Sequence, residues 1–192
     1  VISDEIHSDM ALWGSKHIPF ASVSDKAAQC SITFGAPSKT FNIAGIVASY
    51  AVVPNSELRE RFYGWMEGNE LNQPNIFATI ATIAAFDNGA QWRQEMIEYI
   101  EGNIEFVEQF CCQYIPQIKP IRPQASYLVW LDCRGLNLCH EQIIELFTKR
   151  AKLALNDGAM FGSEGSCFMR LNVGTTRAVL TTALEQLKSA VE

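Results

Sequence analysis

Ten residues, Ala36-Pro37-Ser38-Lys39-Thr40-Phe41-Asn42-Ile43-Ala44-Gly45, constrain this chain more than any other stretch. They separate two apolar runs, residues 30–34 and 46–53, that read as buried strands, so the spacing sets Lys39 on the turn between them. A lysine held at a strand end beside apolar walls releases its proton more easily and can condense with an aldehyde. A lone loop lysine is otherwise a solvated surface charge, and both readings stand on this stretch alone. A second stretch, Val1-Ile2-Ser3-Asp4-Glu5-Ile6-His7, puts a carboxylate directly after a short apolar strand. In sheets of parallel strands, ligands gather at the carboxyl ends of strands, and Asp4 fits that position.

An acid at one strand end and an amine at another, 39 − 4 = 35 residues later, is the pair that pyridoxal 5'-phosphate chemistry requires. The lysine carries the cofactor, and the carboxylate keeps the pyridine nitrogen protonated so that the ring accepts electrons. Four stretches in one order add to the spacing: SDEIH, APSKTFNIAG, PQASYLVWLDCRG at 123–135 and GAMFGSEGSCFMRLNVGT at 158–175. Together they resemble the fold-type I pyridoxal phosphate enzymes of the aspartate aminotransferase superfamily. Within it the likeness is greatest to the branch of cystathionine β-lyases and cysteine-conjugate β-lyases.

That resemblance implies an α/β fold: the C-terminal part of a pyridoxal phosphate-binding large domain, a mostly parallel sheet with helices, at residues 1–90. A linking helix and a small α+β C-terminal domain are expected at 91–192. The family's chains continue well upstream of the present first residue, so the sequence is similar to the C-terminal half of such an enzyme. The resemblance further implies that Lys39 is catalytic and that Asp4, His7, Ser38 and Lys39 bind the cofactor. His7 stands where many aminotransferases have a tyrosine, and a histidine fixed by local backbone bonds is the alternative. Ser38 is either a phosphate ligand or simple turn chemistry. Two family phosphate contacts are absent, since Val47 replaces an arginine and Ala36 a serine. This departure favours the lyase branch over transamination.

Arg170, in Phe168-Met169-Arg170-Leu171-Asn172, is the candidate for the substrate's α-carboxylate. A charge at the centre of an apolar strand is costly unless it meets an anion, and a guanidinium fork suits a carboxylate. An internal salt bridge is the other explanation. Tyr127 and Trp130 read as core aromatics, and His140 as the start of a helix.

The rest of the chain alternates helix and strand. Residues 8–27 read as a loop, and a helix is capped near Asn55-Ser56. Ile76, Ile80, Ile83, Ala84 and Phe86 repeat at helical spacing and are expected to form core. A long helix spans 91–114, followed by strands at 126–131, 153–155 and 168–173 and helices at 140–152 and 176–191.

Net charge is −6 without a basic cluster, which argues against nucleic-acid and membrane partners. No apolar run reaches the roughly 18 residues that span a bilayer, so a cytoplasmic address is expected. The six cysteines lack the spacing of a zinc site and read as reduced, mostly buried thiols, with no metal expected. The function implied by the resemblance is a carbon–sulfur β-lyase acting on a small-molecule amino acid as a homodimer. A class I/II aminotransferase and an inert truncated or regulatory domain are the alternatives.

Overall fold

In the computed structural model, which describes residues 1–192, both apolar runs near the start of the chain contribute strands to one sheet. β1 (Ile2–Asp4) pairs in parallel with β2 (Ile32–Gly35), which pairs antiparallel with β3 (Tyr50–Val52). The crossover from β1 to β2 includes the short helix α1 (Asp25–Gln29), capped by the Ser24 hydroxyl. It also winds into 3-10 turns at Ser8–Met10 and Phe20–Ser22, where a plain loop was expected. The second apolar run is not strand throughout. Ile46 N and Val47 N bond to the carbonyls of Ile43 and Ala44 at 3.0 and 3.1 Å, closing a 3-10 turn, and Val47 takes a left-handed φ of 55°. Pairing therefore starts only at Tyr50.

α2 (Ser56–Gly68) and α3 (Ile76–Asn88) follow, each started by an asparagine whose side-chain oxygen accepts backbone N–H groups. The helical spacing of Ile76, Ile80, Ile83 and Phe86 is realised in α3, but the expectation of core is corrected. These four are 43–77% exposed, and of α3 only Ala78 is buried. A helical period reports that a helix has an apolar face, not that this chain covers it.

α4 (Ala90–Tyr114) starts where the domain boundary was expected. The chain divides into two compact units, Val1–Ile97 and Glu98–Glu192, so the division falls within this helix.

The second unit is built on an antiparallel sheet of order β4-β5-β7-β6, from β4 (Lys119–Ile121), β5 (Leu128–Asp132), β6 (Asn156–Asp157) and β7 (Phe168–Asn172). Strict alternation buries Val129 and Leu131 of β5 and Met169 and Leu171 of β7 on one face. The final helix, α6 (Arg177–Val191), buries Leu180, Leu184, Leu187 and Ala190 at helical spacing. Each fully buried leucine contributes roughly 1.5–3 kcal/mol.

Between β5 and β6 the expected helix is shorter than its pattern. α5 (His140–Glu145) gives way to a π turn at Leu146–Arg150. Ala151 N and Leu153 N bond back to the carbonyls of Leu146 and Phe147, both at 2.8 Å, and Lys152 takes a φ of 55°. Residues 153–155 are used in leaving that turn, so the strand expected there lies instead at β6. β4, with a proline at its centre, carried no strand pattern.

The thiols are also corrected. All six are free, but only Cys111 and Cys133 are buried, and burial pushes each of these thiols up to about 12. Cys30, Cys112 and Cys139 are exposed. No helix is long and apolar enough to cross a membrane.

Asn103 is the polar keystone of the second unit. Wholly buried on α4, it donates to the carbonyls of Val173 and Thr175 at 2.9 and 3.0 Å and accepts from Arg177 Nε at 2.8 Å. Asn103→Leu leaves those groups unpaired and is expected to cost about 1–3 kcal/mol. Urea unfolding, with the exposed Gln186→Ala as reference, checks it.

Candidate active site

Parallel pairing decides where the candidate acid and amine stand. Ile2, Ser3 and Asp4 pair with Ile32, Thr33 and Phe34, so β1 and β2 end at the same edge of the sheet. Asp4 is the last residue of β1, exposed, and its Oδ1 accepts the Ile6 backbone N–H at 3.3 Å. Lys39 lies four residues past the end of β2, half-buried, and takes part in no ion pair.

The turn carrying Lys39 is fixed by its own backbone and by Phe41. Phe41 N donates to Pro37 O at 2.9 Å, and Ile43 N to Ser38 O at 3.0 Å. The Phe41 ring meets Phe86 edge-on at 5.9 Å and lies tilted against Trp92 at 5.8 Å. Ser38 is half-buried on the same turn. The next residue, Thr40, is 1% exposed and its hydroxyl has no hydrogen-bond partner. Gly35 closes β2 under the Tyr50 ring, where any Cβ would come within 2.4 Å of Tyr50 Cζ. Burial pushes the Tyr50 phenol up, and the charges of Asp9 and Glu5 add to that.

His7 starts the first 3-10 turn of the crossover, and its carbonyl accepts Met10 N at 3.0 Å. Two residues earlier, the Glu5 carboxylate meets three partners. Glu5 Oε1 accepts from Ser3 Oγ and from Phe20 N, both at 2.9 Å, and Oε2 meets His17 Nε2 at 2.7 Å. Burial works to raise the Glu5 carboxyl, but the bonds from His17, Phe20 N and Ser3 hold it below the usual glutamate range.

Arg170 lies in the second unit, at the centre of β7 between Trp130 of β5 and Asn156 of β6. No salt bridge holds it. Its Nη2 donates to Asn156 Oδ1 at 3.0 Å, and the guanidinium carbon sits 4.5 Å from the centre of the Phe161 ring. Its Nε is buried without a hydrogen-bond partner, an unmet donor on a fork that suits a carboxylate. The Trp130 ring packs edge-on against Phe161 at 5.4 Å and Phe168 at 5.9 Å. Burial raises the Tyr127 phenol, while the Arg170 charge acts to lower it. Tyr127 and Trp130, expected in the core, are half-buried in this group around Arg170. His140 does start α5, and its Nε2 meets Asp157 Oδ2 at 2.9 Å.

Asp4, His7, Ser38 and Lys39 thus belong to the first unit, with Asp4 and the Lys39 turn following the paired ends of adjacent strands, whereas Arg170 belongs to the second. The sequence did not point to Glu5, Asn156 or Phe161. Glu5 carried the one available signal, a second carboxylate directly after Asp4.

A family model for aminotransferases of class I and II matches residues 1–187. The chain is 43% identical over 191 residues to cystathionine beta-lyase PatB of Bacillus subtilis, covering 100% of this chain and 49% of that protein. It is 34% identical over 193 residues to the protein MalY of Escherichia coli, again over 100% of this chain and 48% of that protein. Its fold matches the crystal structure of cystalysin from Treponema denticola, which contains a pyridoxal 5'-phosphate cofactor. The TM-score is 0.94 at 32% identity, over 98% of this chain and 48% of that one. The chain spans about half the length of these relatives.

The turn that brings Phe161 to Arg170 depends on Gly158. A Cβ there would lie 2.3 Å from Gly165 O and 2.5 Å from Phe168 O, both backbone atoms that cannot swing away. Gly158→Ala is expected to destabilise the second unit by about 1–3 kcal/mol through overpacking. A lowered urea midpoint checks it, and an unchanged midpoint contradicts the close approach.

Proposed function

The chain belongs to the class I and II aminotransferase family, and on that premise we propose that it is the C-terminal half of a pyridoxal phosphate-dependent carbon–sulfur β-lyase. Its substrate would be an amino acid bearing sulfur on its β-carbon, and its products a thiol, pyruvate and ammonia. The observation that carries this reading is the parallel register that ends β1 at Asp4 and leads β2 into the Lys39 turn at one sheet edge. The 43% identity to a cystathionine beta-lyase supports the lyase branch.

The residues present fit the cofactor. Asp4 offers an exposed carboxylate beyond its one backbone bond, and Lys39 is committed to no ion pair. Thr40 beside it keeps a buried hydroxyl without a partner. Ala36 and the left-handed Val47 give the phosphate no charge, which leaves Ser38 and Thr40 as the hydroxyls of this turn. Pyridoxal phosphate, when bound, supplies an aldehyde for an amine and a ring that accepts electrons.

Within that frame each side chain has its own role. Lys39 would hold the cofactor's aldehyde, and its free amine would take the proton from the substrate's α-carbon. Asp4 would hold the proton on the pyridine nitrogen. His7 would serve the cofactor's phenolic oxygen, and Arg170 would take the α-carboxylate on its fork, where its unmet Nε–H would gain an acceptor. With that proton removed, thiolate would be the group that leaves the β-carbon. We further read the whole protein as a cytoplasmic homodimer with neither nucleic-acid nor membrane partners.

Transamination shares the α-proton step and differs in where the electrons go afterwards. The complete protein, given L-cystathionine, is expected to release pyruvate, and Lys39→Ala to lower kcat by roughly 10²–10⁴. Normal pyruvate release by Lys39→Ala would remove Lys39 as the base. Amino-group transfer from an aromatic amino acid to a keto acid, without pyruvate from cystathionine, would favour the aminotransferase.

A further inference from the structure

The bound carboxylate next to Asp4 has no part in the chemistry above, yet it is the most heavily engaged acid in the first unit. Its side chain is 9% exposed and joins β1 to two points of the crossover. Ser3 Oγ comes from β1, His17 Nε2 from the segment between the two 3-10 turns, and Phe20 N from the start of the second turn. Its own backbone continues the sheet beyond β1, with Glu5 N donating to Phe34 O at 2.9 Å, while Glu5 O accepts Ser8 N at 2.9 Å. One residue therefore extends the β1–β2 pairing past Asp4, starts the turn that carries His7, and draws the returning loop onto the strand end.

We propose that Glu5 is a positioning residue of the active site: its carboxylate fastens residues 17–20 to the carboxyl end of β1 and so fixes the direction of Asp4. The assignment rests on the cofactor reading of Asp4. Glu5 directly follows Asp4 and its own N–H is bonded to Phe34 O, so a carboxylate clamped there sets the backbone that aims its neighbour. Charge makes the clamp strong, because bonds to an ionised carboxylate are roughly twice as strong as neutral ones. A glutamine keeps the shape and the acceptor for Phe20 N but gives up that charge.

The test uses the complete protein. In the cofactor-free form, Glu5→Ala is expected to speed hydrogen exchange at the Phe20 amide roughly tenfold or more, and Glu5→Gln by less. Titration with pyridoxal phosphate, followed by visible absorbance, is expected to show several-fold weaker binding for Glu5→Ala and partial recovery for Glu5→Gln. With L-cystathionine, kcat should fall while KM stays within about twofold, since Glu5 touches no substrate. Tyr63→Phe, which removes only the bond from the Tyr63 hydroxyl to Ala51 O, is the control expected to change none of these.

Faster exchange with unchanged cofactor binding and kcat would mean that Glu5 is only a structural tie, and would overturn the proposal. Unchanged exchange would do the same. Should Glu5→Ala fail to fold, Glu5→Gln and His17→Asn, which removes a single partner, supply the same readouts. A wild-type protein that binds pyridoxal phosphate in this Glu5-dependent way but releases no pyruvate would count against the lyase reading, and would support the role of Glu5.

Discussion

The register between two short parallel strands governs the first unit. A parallel pair cannot be closed by a tight hairpin, so the chain leaving Asp4 must travel back along the sheet before β2 begins. In this protein the return takes residues 5–31 and is folded, with two 3-10 turns and α1, rather than slack. Both strands then point their carboxyl ends the same way. An acid ends one strand and an amine follows four residues past the end of the other, from the same edge of the sheet and without an ion pair between them. The anchoring of Phe41 against Phe86 and Trp92 completes the arrangement by fixing the turn that holds the amine.

Arg170 shows a second use of the same economy. A half-buried guanidinium needs compensation, and a carboxylate is the strongest available. A carboxylate would also occupy the fork and cancel its charge. Here an amide oxygen and an aromatic face do the holding without neutralising the charge, so the cation is kept in place with Nε–H still unmet. The proposed capture of an external carboxylate by Arg170 depends on that balance. An internal salt bridge would have spent the charge within the fold.

What could be read from the sequence follows from the range of the interactions involved. The helices and most strands rest on local periodicity, and α2, α3, α4 and α6 formed where that pattern set them. The Lys39 turn and the position of Asp4 were legible for the same reason, since each depends on a few adjacent residues. Burial was less so. α3 has the expected period but an exposed apolar face, because burial depends on what lies opposite. β4 and β6 were missed because a three-residue strand centred on proline and a two-residue strand carry too little alternation to detect. The companions of Arg170 were out of reach. Asn156 and Phe161 precede it by 14 and 9 residues (170 − 156 and 170 − 161), brought near by a turn whose fit depends on glycines at 158 and 165.

Adjacent acids with different duties are the least expected product of this fold. Asp4 and Glu5 share a backbone and differ in sequence only by one methylene, yet their surroundings separate them. Glu5 has three donors and little solvent, and its carboxyl is held below the usual range. Its ionised form is therefore favoured in the folded state, so the tie adds stability above the ordinary glutamate pKa and loses it as pH falls through the lowered value. Asp4 has one backbone donor at 3.3 Å and an open face. The acid with satisfied bonds cannot serve a ligand without breaking them, and the acid with an open face can. The three donors hold the Glu5 carboxylate, so its saturation leaves the exposed Asp4 carboxylate available at the sheet edge.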